Sequence, residues 1–439
     1  MAILSTAPIA DDASDGAMRA AQRARKAAIG SFVGAIVDWY DFVLYGFVAA
    51  IVFNVQFFPS KDPTVGTLAA FATFGVGFLF RPLGGVLFGH YGDHFGRRTM
   101  LVITVTVMGL ASAAIGLLPT YDSIGWYAPL FLVILRALQG VAVGGEWGGA
   151  ALMAVESAPA GKKAFYSSGV QVGYGVALIL TTGIISILSR TLSNAAFMSW
   201  GWRLPFLFSI VLVGIALWIR LSMDESPEFE QKVGTHGERR IKAPVIVALR
   251  THPGAILVIT AMRAIELFAM YIVTTFALAY TVNNLHMSRD LILNVTFAVG
   301  VISCGTIPAA AWLADRWGLK QVYLTGAILG LVCTFPFFLA LQAGSIVWIV
   351  VFAVLLANIA HDMVNSVQQP LFTGFFGTEY RYSGASVGYQ IASVVFGGFT
   401  PFIATALLGI NGTWHPVAIY MALGCLLSVV VAWRTQMRN

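Results

Sequence analysis

The sequence has 439 residues, of which 58% are hydrophobic and only 10% are charged. Soluble domains carry about a quarter charged residues, because a surface in contact with water needs them. The composition therefore argues against soluble enzymes and nucleic-acid-binding proteins. The formal net charge of +6 is better explained by membrane topology than by affinity for nucleic acid.

Twelve apolar segments follow one another along the chain, and each is long enough to cross a bilayer as a helix. Helices are expected because backbone amides in hydrocarbon must find their partners within the same segment. We predict an all-α membrane protein with helices at residues 27–53, 66–88, 99–119, 129–154, 164–189, 203–222, 254–282, 291–313, 321–342, 346–370, 383–409 and 415–433.

The distribution of basic residues predicts the orientation. Residues 1–26 are polar and have no signal-peptide pattern, so we expect the first helix to be retained as the insertion signal. With both termini in the cytoplasm, the inner segments hold 19 Lys and Arg and the outer segments hold four. This asymmetry is the one that the positive-inside rule expects.

A polar stretch at residues 223–252 divides the chain into two halves of six predicted helices each. An internal repeat supports the division, because GHYGDHFGRR at residues 89–98 is matched by AWLADRWGLK at residues 311–320, an offset of 222. Two such halves with a site between them are typical of transporters. The predicted domains are a cytoplasmic segment (1–26), an N-terminal bundle (27–222), a cytoplasmic loop (223–252), a C-terminal bundle (253–433) and a tail (434–439).

Ionisable residues inside the predicted helices are the main candidates for function. A charge in a membrane helix is costly and usually faces a cavity or a partner. These residues are Asp38, Asp41, Arg81, Arg136, Glu146, Arg263, Glu266, His361 and Asp362.

Arg136 is the first candidate for binding a substrate anion, because a guanidinium is always charged and its planar shape matches a carboxylate. Gln139 and Glu146 share a helical face close to it, and Trp147 could stack on a substrate ring. The alternatives are that Arg136 only pairs with a neighbouring helix and that Trp147 only packs in the bundle.

Asp38 and Asp41 lie three residues apart on the first predicted helix. Two close carboxylates in a medium of low dielectric are not both easily ionised, so one of them could carry a proton. We hypothesise that an aspartate pairs with Arg136 until the substrate carboxylate displaces it and it takes up a proton. A permanent structural ion pair is the alternative. Glu146 and Asp362 are further candidates for proton coupling.

Polar residues recur at helical spacing in the tenth predicted helix, a pattern that indicates a pathway lining. Asn358 and His361 are candidate substrate ligands there, as are Gln171 and Tyr174 in the fifth helix and Tyr389 in the eleventh. These side chains suit a hydroxylated ligand, although some will only bridge helices, and Asp362 could simply satisfy His361. Arg263 is also a candidate ligand, but a structural pair with Glu266 is favoured. Arg81 could pair with an acid or help to gather anions.

The loop after the second predicted helix is a candidate gate. Asp93 could cap a helix or pair with Arg97 or Arg98, and Gly89 and Gly96 allow close backbone approach. Asp315 occupies the position equivalent to Asp93 in the second half. The alternative is that the arginines only set the topology.

Other functional classes find little support in the sequence. The three cysteines lie far apart in apolar segments, so a disulfide framework, a metal cluster or another cofactor is not expected. The sequence has neither a His-Glu-x-x-His nor a Gly-x-Ser-x-Gly motif, which argues against an intramembrane enzyme.

Several motifs resemble those of the major facilitator superfamily. GHYGDHFGRR matches its loop signature, and RALQGVAVGGEWGG resembles its second motif. DWYDF, FLFRPLGG, SWGWRLPF and MDESPEF resemble the metabolite:proton symporter family, and KKAFYSSGVQVGYG, ANIAHDMV and YRYSGASVGYQ resemble its shikimate-transporting members.

This resemblance implies the major facilitator fold, two six-helix bundles with twelve transmembrane helices in all, in a bacterial inner membrane. It implies proton-driven uptake of shikimate by a monomer, with another small organic acid of the same family as the alternative substrate. The second loop departs from the signature, with Ala311 in place of the first Gly and Leu319-Lys320 in place of the Arg pair. A gating role is therefore less strongly implied there.

Overall fold

The computed structural model describes residues 10–95, 97–144, 161–221, 249–376 and 381–436. Helices account for nearly all of these ranges, and no strand occurs within them. Twelve helices are long and apolar enough to cross a membrane, and they are numbered here as helices 1 to 12: Ile29–Gln56, Pro63–Phe88, Thr99–Leu117, Tyr127–Gly144, Lys163–Thr191, Arg203–Leu221, Pro253–Asn283, Arg289–Trp317, Leu319–Ala343, Ile346–Thr373, Gly384–Ile410 and His415–Arg434.

The predicted helices agree with these bounds to within four residues wherever both ends are described. The predicted end of helix 4, at residue 154, lies outside the described residues. Helix 1 continues a longer α-helix that starts at Ala10, well before the apolar segment. Hydropathy locates the part of a helix that suits the membrane, whereas alanine-rich polar sequence can continue the helix beyond that part.

Glycines in the left-handed region of φ allow three of the sharp turns between helices. Gly318 joins helices 8 and 9 with φ of 104°, Gly344 joins helices 9 and 10 with φ of 65°, and Gly412 joins helices 11 and 12 with φ of 64°. Side chains with a Cβ rarely adopt such values, so these positions favour glycine. Successive helices can therefore be antiparallel neighbours with almost no connecting chain.

Glycine also allows close packing of particular helix pairs. A Cβ at Gly140 of helix 4 would lie 2.0 Å from the Gly77 oxygen of helix 2. At the junction of the two bundles, a Cβ at Gly175 of helix 5 would lie 2.8 Å from the Gly300 oxygen of helix 8. Small residues at these crossings allow the backbones of two membrane helices to approach each other closely.

The two bundles meet along helices 1, 2 and 5 of the N-terminal half and helices 7, 8, 10 and 11 of the C-terminal half. On the side of the bilayer away from the chain ends, called here the far side, helices 1 and 7 approach so closely that a Cβ at Gly46 would lie 2.9 Å from the Thr275 hydroxyl. The rings of Phe74 and Phe78 in helix 2 contact Tyr271 of helix 7, with centroids 5.4 and 5.8 Å apart. Helices 1, 2 and 7 are therefore in contact from the middle of the bundles toward the far side. The opposite side, on which helix 1 begins and helix 12 ends, is called the terminal side.

Short π-helical segments interrupt helices at the bundle interface. Helix 1 contains one at Ala49–Phe53 and helix 7 contains one at Ile272–Phe276, and these start 223 residues apart. Helices 10 and 11 contain others, at Leu355–Ala360 and Ser393–Gly398. Segments of this kind are frequent at functional sites, and the first two repeat the internal symmetry seen in the sequence.

Candidate substrate and proton site

Arg136 and Asp41 form an ion pair in the centre of the N-terminal bundle. Helix 4 positions Arg136, and its Nη1 donates to the Asp41 Oδ2 of helix 1 over 3.1 Å. Both residues are at most 1% exposed. A charge pair this deeply buried is stable only if further hydrogen bonds satisfy its remaining polar atoms.

Two neutral side chains complete the environment of the Asp41 carboxylate. The Gln139 amide of helix 4 donates to Oδ1 over 2.7 Å, and the Ser112 hydroxyl of helix 3 donates to the same oxygen. The Gln139 amide also donates to Ser112 over 2.8 Å, while its own oxygen accepts from Arg136 Nη1 over 3.1 Å. Helices 3 and 4 therefore hold a carboxylate of helix 1 in place.

The rest of the Arg136 guanidinium lies against aromatic rings. Its central carbon is 4.2 Å from the ring centroids of both Phe42 and Tyr45 and 5.3 Å from that of Phe74. These rings stabilise the cation through their negative faces. Nε and Nη2 are buried and have no hydrogen-bond partner among the described residues. The guanidinium therefore retains donors that an incoming anion could use.

Asp38 lies in different surroundings from Asp41 although both belong to helix 1. It is partly exposed, and it interacts electrostatically with Arg81 of helix 2 and Tyr389 of helix 11. Asp41 thus faces the N-terminal bundle, whereas Asp38 belongs to the interface between the bundles. The two aspartates have distinct environments despite being three residues apart.

Arg81 is buried at the bundle interface and stacks on two rings. Its guanidinium carbon lies 4.0 Å from the centroids of both Phe42 and Phe78. The Phe42 ring therefore contacts Arg81 as well as Arg136. Within the described part of the chain, the Arg81 Nε has no hydrogen-bond partner.

Arg263 and Glu266 form the corresponding ion pair of the C-terminal bundle, one turn apart on helix 7. Arg263 Nε and Nη2 each donate to one Glu266 oxygen over 2.9 Å. Nη1 donates to the Tyr389 carbonyl over 2.8 Å and to the Ser393 hydroxyl over 2.6 Å. The Gln368 amide of helix 10 donates to Glu266 over 2.9 Å. All three guanidinium nitrogens of Arg263 are thus occupied within the protein.

His361 and Asp362 form a third polar group, where helix 10 meets helices 5 and 8. His361 Nδ1 lies 2.8 Å from Asp362 Oδ1, and the Thr306 hydroxyl of helix 8 donates to the other carboxylate oxygen. The His361 ring contacts that of Tyr174 in helix 5, with centroids 4.9 Å apart. This group therefore links the two bundles.

Two further predicted ligands lie at the same junction. Gln171 of helix 5 donates to the backbone carbonyl of Asn365 over 3.3 Å. Asn358 of helix 10 donates to the Val299 carbonyl over 2.8 Å and to the Ser303 hydroxyl over 2.9 Å. The Asn358 amide nitrogen therefore already bonds to helix 8.

Asp315 of the predicted gate makes a contact between the bundles on the terminal side. Its two oxygens accept from the backbone N–H groups of Ala164 and Phe165, over 3.0 and 2.9 Å. These groups lie in the first turn of helix 5, where free N–H groups and the helix dipole favour a negative charge. An acid in the C-terminal half therefore caps a helix of the N-terminal half.

Other predicted residues lie outside what the structure describes. These are Glu146 and Trp147, Gly96, and the side chains of Asp93, Arg97 and Arg98; for Gly89 only the helical backbone is described. Sequence reasoning in turn missed Ser112, Thr306 and Gln368, which bond to the three buried acids. A single hydroxyl in an apolar helix is too common to be a signal, whereas Gln368 beside Gln369 was a detectable one.

Twelve helices in two bundles with ionisable groups buried between them form the architecture of a secondary transporter. The sequence profile of the Major Facilitator Superfamily matches residues 31–389 and 268–438, and the chain belongs to this family.

Curated relatives match the chain over nearly its full length. It is 62% identical to the shikimate transporter of Escherichia coli K12 over 411 residues, which cover 93% of this chain and 94% of the relative. It is 37% identical to the inner membrane metabolite transport protein YhjE of the same strain, with 90% of each chain covered. It is 31% identical to the proline/betaine transporter of that strain, with 92% of this chain and 82% of the relative covered.

Solved structures support the fold. The xylose transporter XylE from E. coli, in a partially occluded inward-open conformation, superposes with a TM-score of 0.74 at 18% identity, covering 95% of this chain and 98% of the other. A crystal structure of a D-xylose-proton symporter gives a TM-score of 0.72 at 18% identity, covering 93% and 96%. The predicted major facilitator fold is confirmed.

Proposed function

We propose that this protein imports shikimate together with protons by alternating access. The observation that carries the proposal is the hydrogen bonding of the buried Arg136. Its Nη1 donates to Asp41, whereas Nε and Nη2 have no partner among the described residues. A buried guanidinium of this kind suits the carboxylate of a small organic acid. The choice of shikimate rests on the E. coli relative of that name.

Proton coupling is explained by an exchange of partners at Arg136. When the substrate carboxylate binds the guanidinium, Asp41 loses its cationic partner while Ser112 and Gln139 remain beside it. An ionised carboxylate without a cation is unstable at this depth, so Asp41 then takes up a proton. The substrate and the proton are thereby bound together.

The opening and closing of the bundles would move both ligands across the membrane. On the far side, helix 1 contacts helix 7 and helix 2 contacts helix 11, where Cβ atoms at Gly46 and Gly409 would lie 2.9 and 3.4 Å from side-chain atoms of Thr275 and Thr64. On the terminal side, the cap that Asp315 forms on helix 5 joins the bundles. We infer that breaking this contact accompanies opening toward the cytoplasm, with Asp93, Arg97, Arg98, Gly89 and Gly96 as its counterpart in the first half.

The terminal side faces the cytoplasm in this proposal. The asymmetry of 19 inner against four outer Lys and Arg supports it, because positive residues are retained inside. The name of YhjE, an inner membrane protein, supports the bacterial inner membrane as the location. Both chain ends would then be cytoplasmic.

Uptake into proteoliposomes tests the proposal. We expect vesicles with an inward proton gradient to accumulate labelled shikimate above the external concentration, and a protonophore to reduce uptake to equilibration. Unlabelled aromatic, hydroxy- and dicarboxylic acids serve as competitors. The proposal is wrong if the gradient has no effect, or if one of these acids is accumulated and shikimate is not.

A further inference from the structure

Buried polar atoms without a hydrogen-bond partner are concentrated where helices 5, 7 and 10 meet. Among the described residues, no partner exists for the hydroxyls of Tyr174 and Tyr271, the Asn365 amide nitrogen, or either polar atom of the Gln369 amide. All four residues are at most 1% exposed. Native proteins leave few such atoms, and a cluster of them calls for an explanation.

The two tyrosines lie across the junction of the bundles. Tyr271 of helix 7 packs its ring against Phe74 and Phe78 of helix 2. Tyr174 of helix 5 packs against His361 of helix 10, with ring centroids 4.9 Å apart. Gln368 of helix 10 bonds to Glu266 of helix 7 over 2.9 Å, which brings together the helices that carry His361 and Tyr271. The two tyrosines therefore belong to one region, to which each bundle contributes one hydroxyl.

Helix 10 brings the two amides to the same region. Asn365 and Gln369 are one turn apart and lie on one face of the helix. The backbone carbonyl of Asn365 accepts from Gln171 of helix 5, so this part of helix 10 lies against the N-terminal bundle. Gln368, on the adjacent face, contacts Glu266 of helix 7. The unpartnered amides therefore lie between helices 5 and 7.

Arg263 is not expected to bind a ligand in this region, because its donors are used within the protein. Each of its nitrogens already donates to Glu266, to Tyr389 or to Ser393. Glu266 in turn accepts from two Arg263 nitrogens and from Gln368. This saturated pair fixes helix 7 against helices 10 and 11, which makes Arg263 a positioning residue and leaves neutral donors and acceptors to face a ligand.

We propose that Tyr174, Tyr271, Asn365 and Gln369 form a subsite for the hydroxyl groups of the substrate, separate from the carboxylate site at Arg136. This inference rests on the proposed function and assigns its specificity to Tyr271 and Gln369. A hydroxyl group both donates and accepts, and so do a phenol and an amide. A site built to bond with substrate hydroxyls rejects an analogue that lacks them, because its own polar atoms then stay buried without partners.

The test compares two ligands that share a ring and a carboxylate. Shikimate carries the hydroxyls, and cyclohex-1-ene-1-carboxylate lacks them. The variants are Tyr271→Phe and Gln369→Met, which remove polar atoms with little change in volume. Tyr280→Phe is the matched control, because Tyr280 is also buried on helix 7 but stacks on Phe276, away from the proposed subsite.

We expect Tyr271→Phe and Gln369→Met each to raise the KM for shikimate about fivefold to tenfold, the usual effect of losing one hydrogen bond. The inhibition constant of the cyclohexene acid should stay the same or fall in these two variants, because they remove polar atoms that this ligand leaves without partners, and both constants should stay unchanged in Tyr280→Phe. Equal changes for both ligands would show a merely structural role and overturn the proposal, and so would unchanged constants for both. If vesicles with the wild-type protein do not accumulate shikimate at all, the proposed function is wrong. The subsite proposal then fails with it, because it assumes shikimate as the ligand.

Discussion

The Asp41 carboxylate accepts hydrogen bonds from a hydroxyl, an amide and a guanidinium, each on a different residue. Only the guanidinium carries a charge, so its departure changes the electrostatics of the site far more than the loss of a neutral donor would. We therefore expect the loss of the contact with Arg136 to decide whether Asp41 is ionised.

Replacing Asp41 by Asn tests this directly. The amide still accepts from Ser112 but carries no proton that can be released, so we expect Asp41→Asn to lose accumulation driven by the proton gradient. Exchange of labelled for unlabelled shikimate should persist, with an unchanged or lower KM because Arg136 no longer has a competing carboxylate. Uptake and counterflow in proteoliposomes measure the two activities. Gradient-driven accumulation by Asp41→Asn would remove Asp41 from the mechanism. Asp38→Asn is measured in the same assay, and accumulation by this variant would remove Asp38.

Arg263 and Arg136 should respond differently to substitution. Removing Arg263 leaves Glu266 buried without its cation, which costs about 3–5 kcal/mol of stability. We expect Arg263→Gln to unfold at a lower temperature, and the double variant Arg263→Gln/Glu266→Gln to recover stability and substrate binding. Thermal unfolding in detergent and binding of labelled shikimate are the measurements.

Arg136→Gln provides the contrast, since its loss should abolish binding of the carboxylate. A combined substitution of Arg136 and Asp41 is not expected to restore it. Recovery of binding there, or failure of the Arg263 double variant to bind, would contradict the division of roles between the two arginines.

Sequence reasoning found the ionisable residues of the site because charges in an apolar helix are conspicuous. It placed Arg136, Gln139 and Asp41 together as candidates, and the structure brings them into contact. It did not find Ser112 or Tyr271, since a hydroxyl or a phenol in a membrane helix is ordinary and only the packing of helices shows what lies beside it. Helical spacing orders residues on one helix but does not identify which helix they face.

Among the elements, helices 5 and 8 depend on glycine at their crossing. A Cβ at Gly300 would lie 2.9 Å from the Gly175 oxygen and from the Leu178 Cβ, whereas a Cβ at Gly305 of the same helix meets nothing within 4 Å. We expect Gly300→Ala to destabilise the protein by about 1–3 kcal/mol through overpacking and to slow transport more than it weakens binding. Gly305→Ala is the control.

Thermal unfolding and transport rates compared with binding affinity measure these effects. If Gly300→Ala and Gly305→Ala had the same thermal stability and the same transport rate, the close contact of helices 5 and 8 at Gly300 would not be needed for either property. The bounds of the helices, by contrast, followed from hydropathy alone, because length and apolar composition determine a membrane span whatever its neighbours are.

At the scale of the whole molecule, helix 8 carries an acid at each end that contacts helix 5. Asp315 caps the first turn of helix 5 on the terminal side, and Asp290 accepts from the Ser189 hydroxyl over 3.2 Å on the far side. Opening of either side requires one of these contacts to break.

We therefore expect Asp315→Ala to shift the population toward opening on the terminal side by about fivefold, the effect of losing a helix cap of about 1 kcal/mol. Hydrogen exchange at the Ala164 and Phe165 amides should become faster. Asp290→Ala is the matched variant, and it should leave these two amides unchanged. Faster exchange in both variants would indicate general loosening of helix 5 instead of one-sided opening.

The twelve membrane helices were predictable, because their length and apolar composition can be read along the whole sequence. The contact between Asp315 and helix 5 was not. The repeat pairs Asp315 with Asp93 in sequence, but it carries no information on which helix end of the opposite bundle lies within reach. That depends on how the two bundles are placed against each other.

The polar atoms of Tyr271 and Gln369 that have no hydrogen-bond partner among the described residues also bear on evolution and engineering. Apolar replacements there relieve the cost of burying polar groups without partners, so the most heat-resistant versions of this chain should be those that recognise their cargo worst. Selection for thermal stability alone would then reduce substrate selectivity first at these two positions. In organisms that grow in hot environments, keeping these polar side chains would require selection for selectivity.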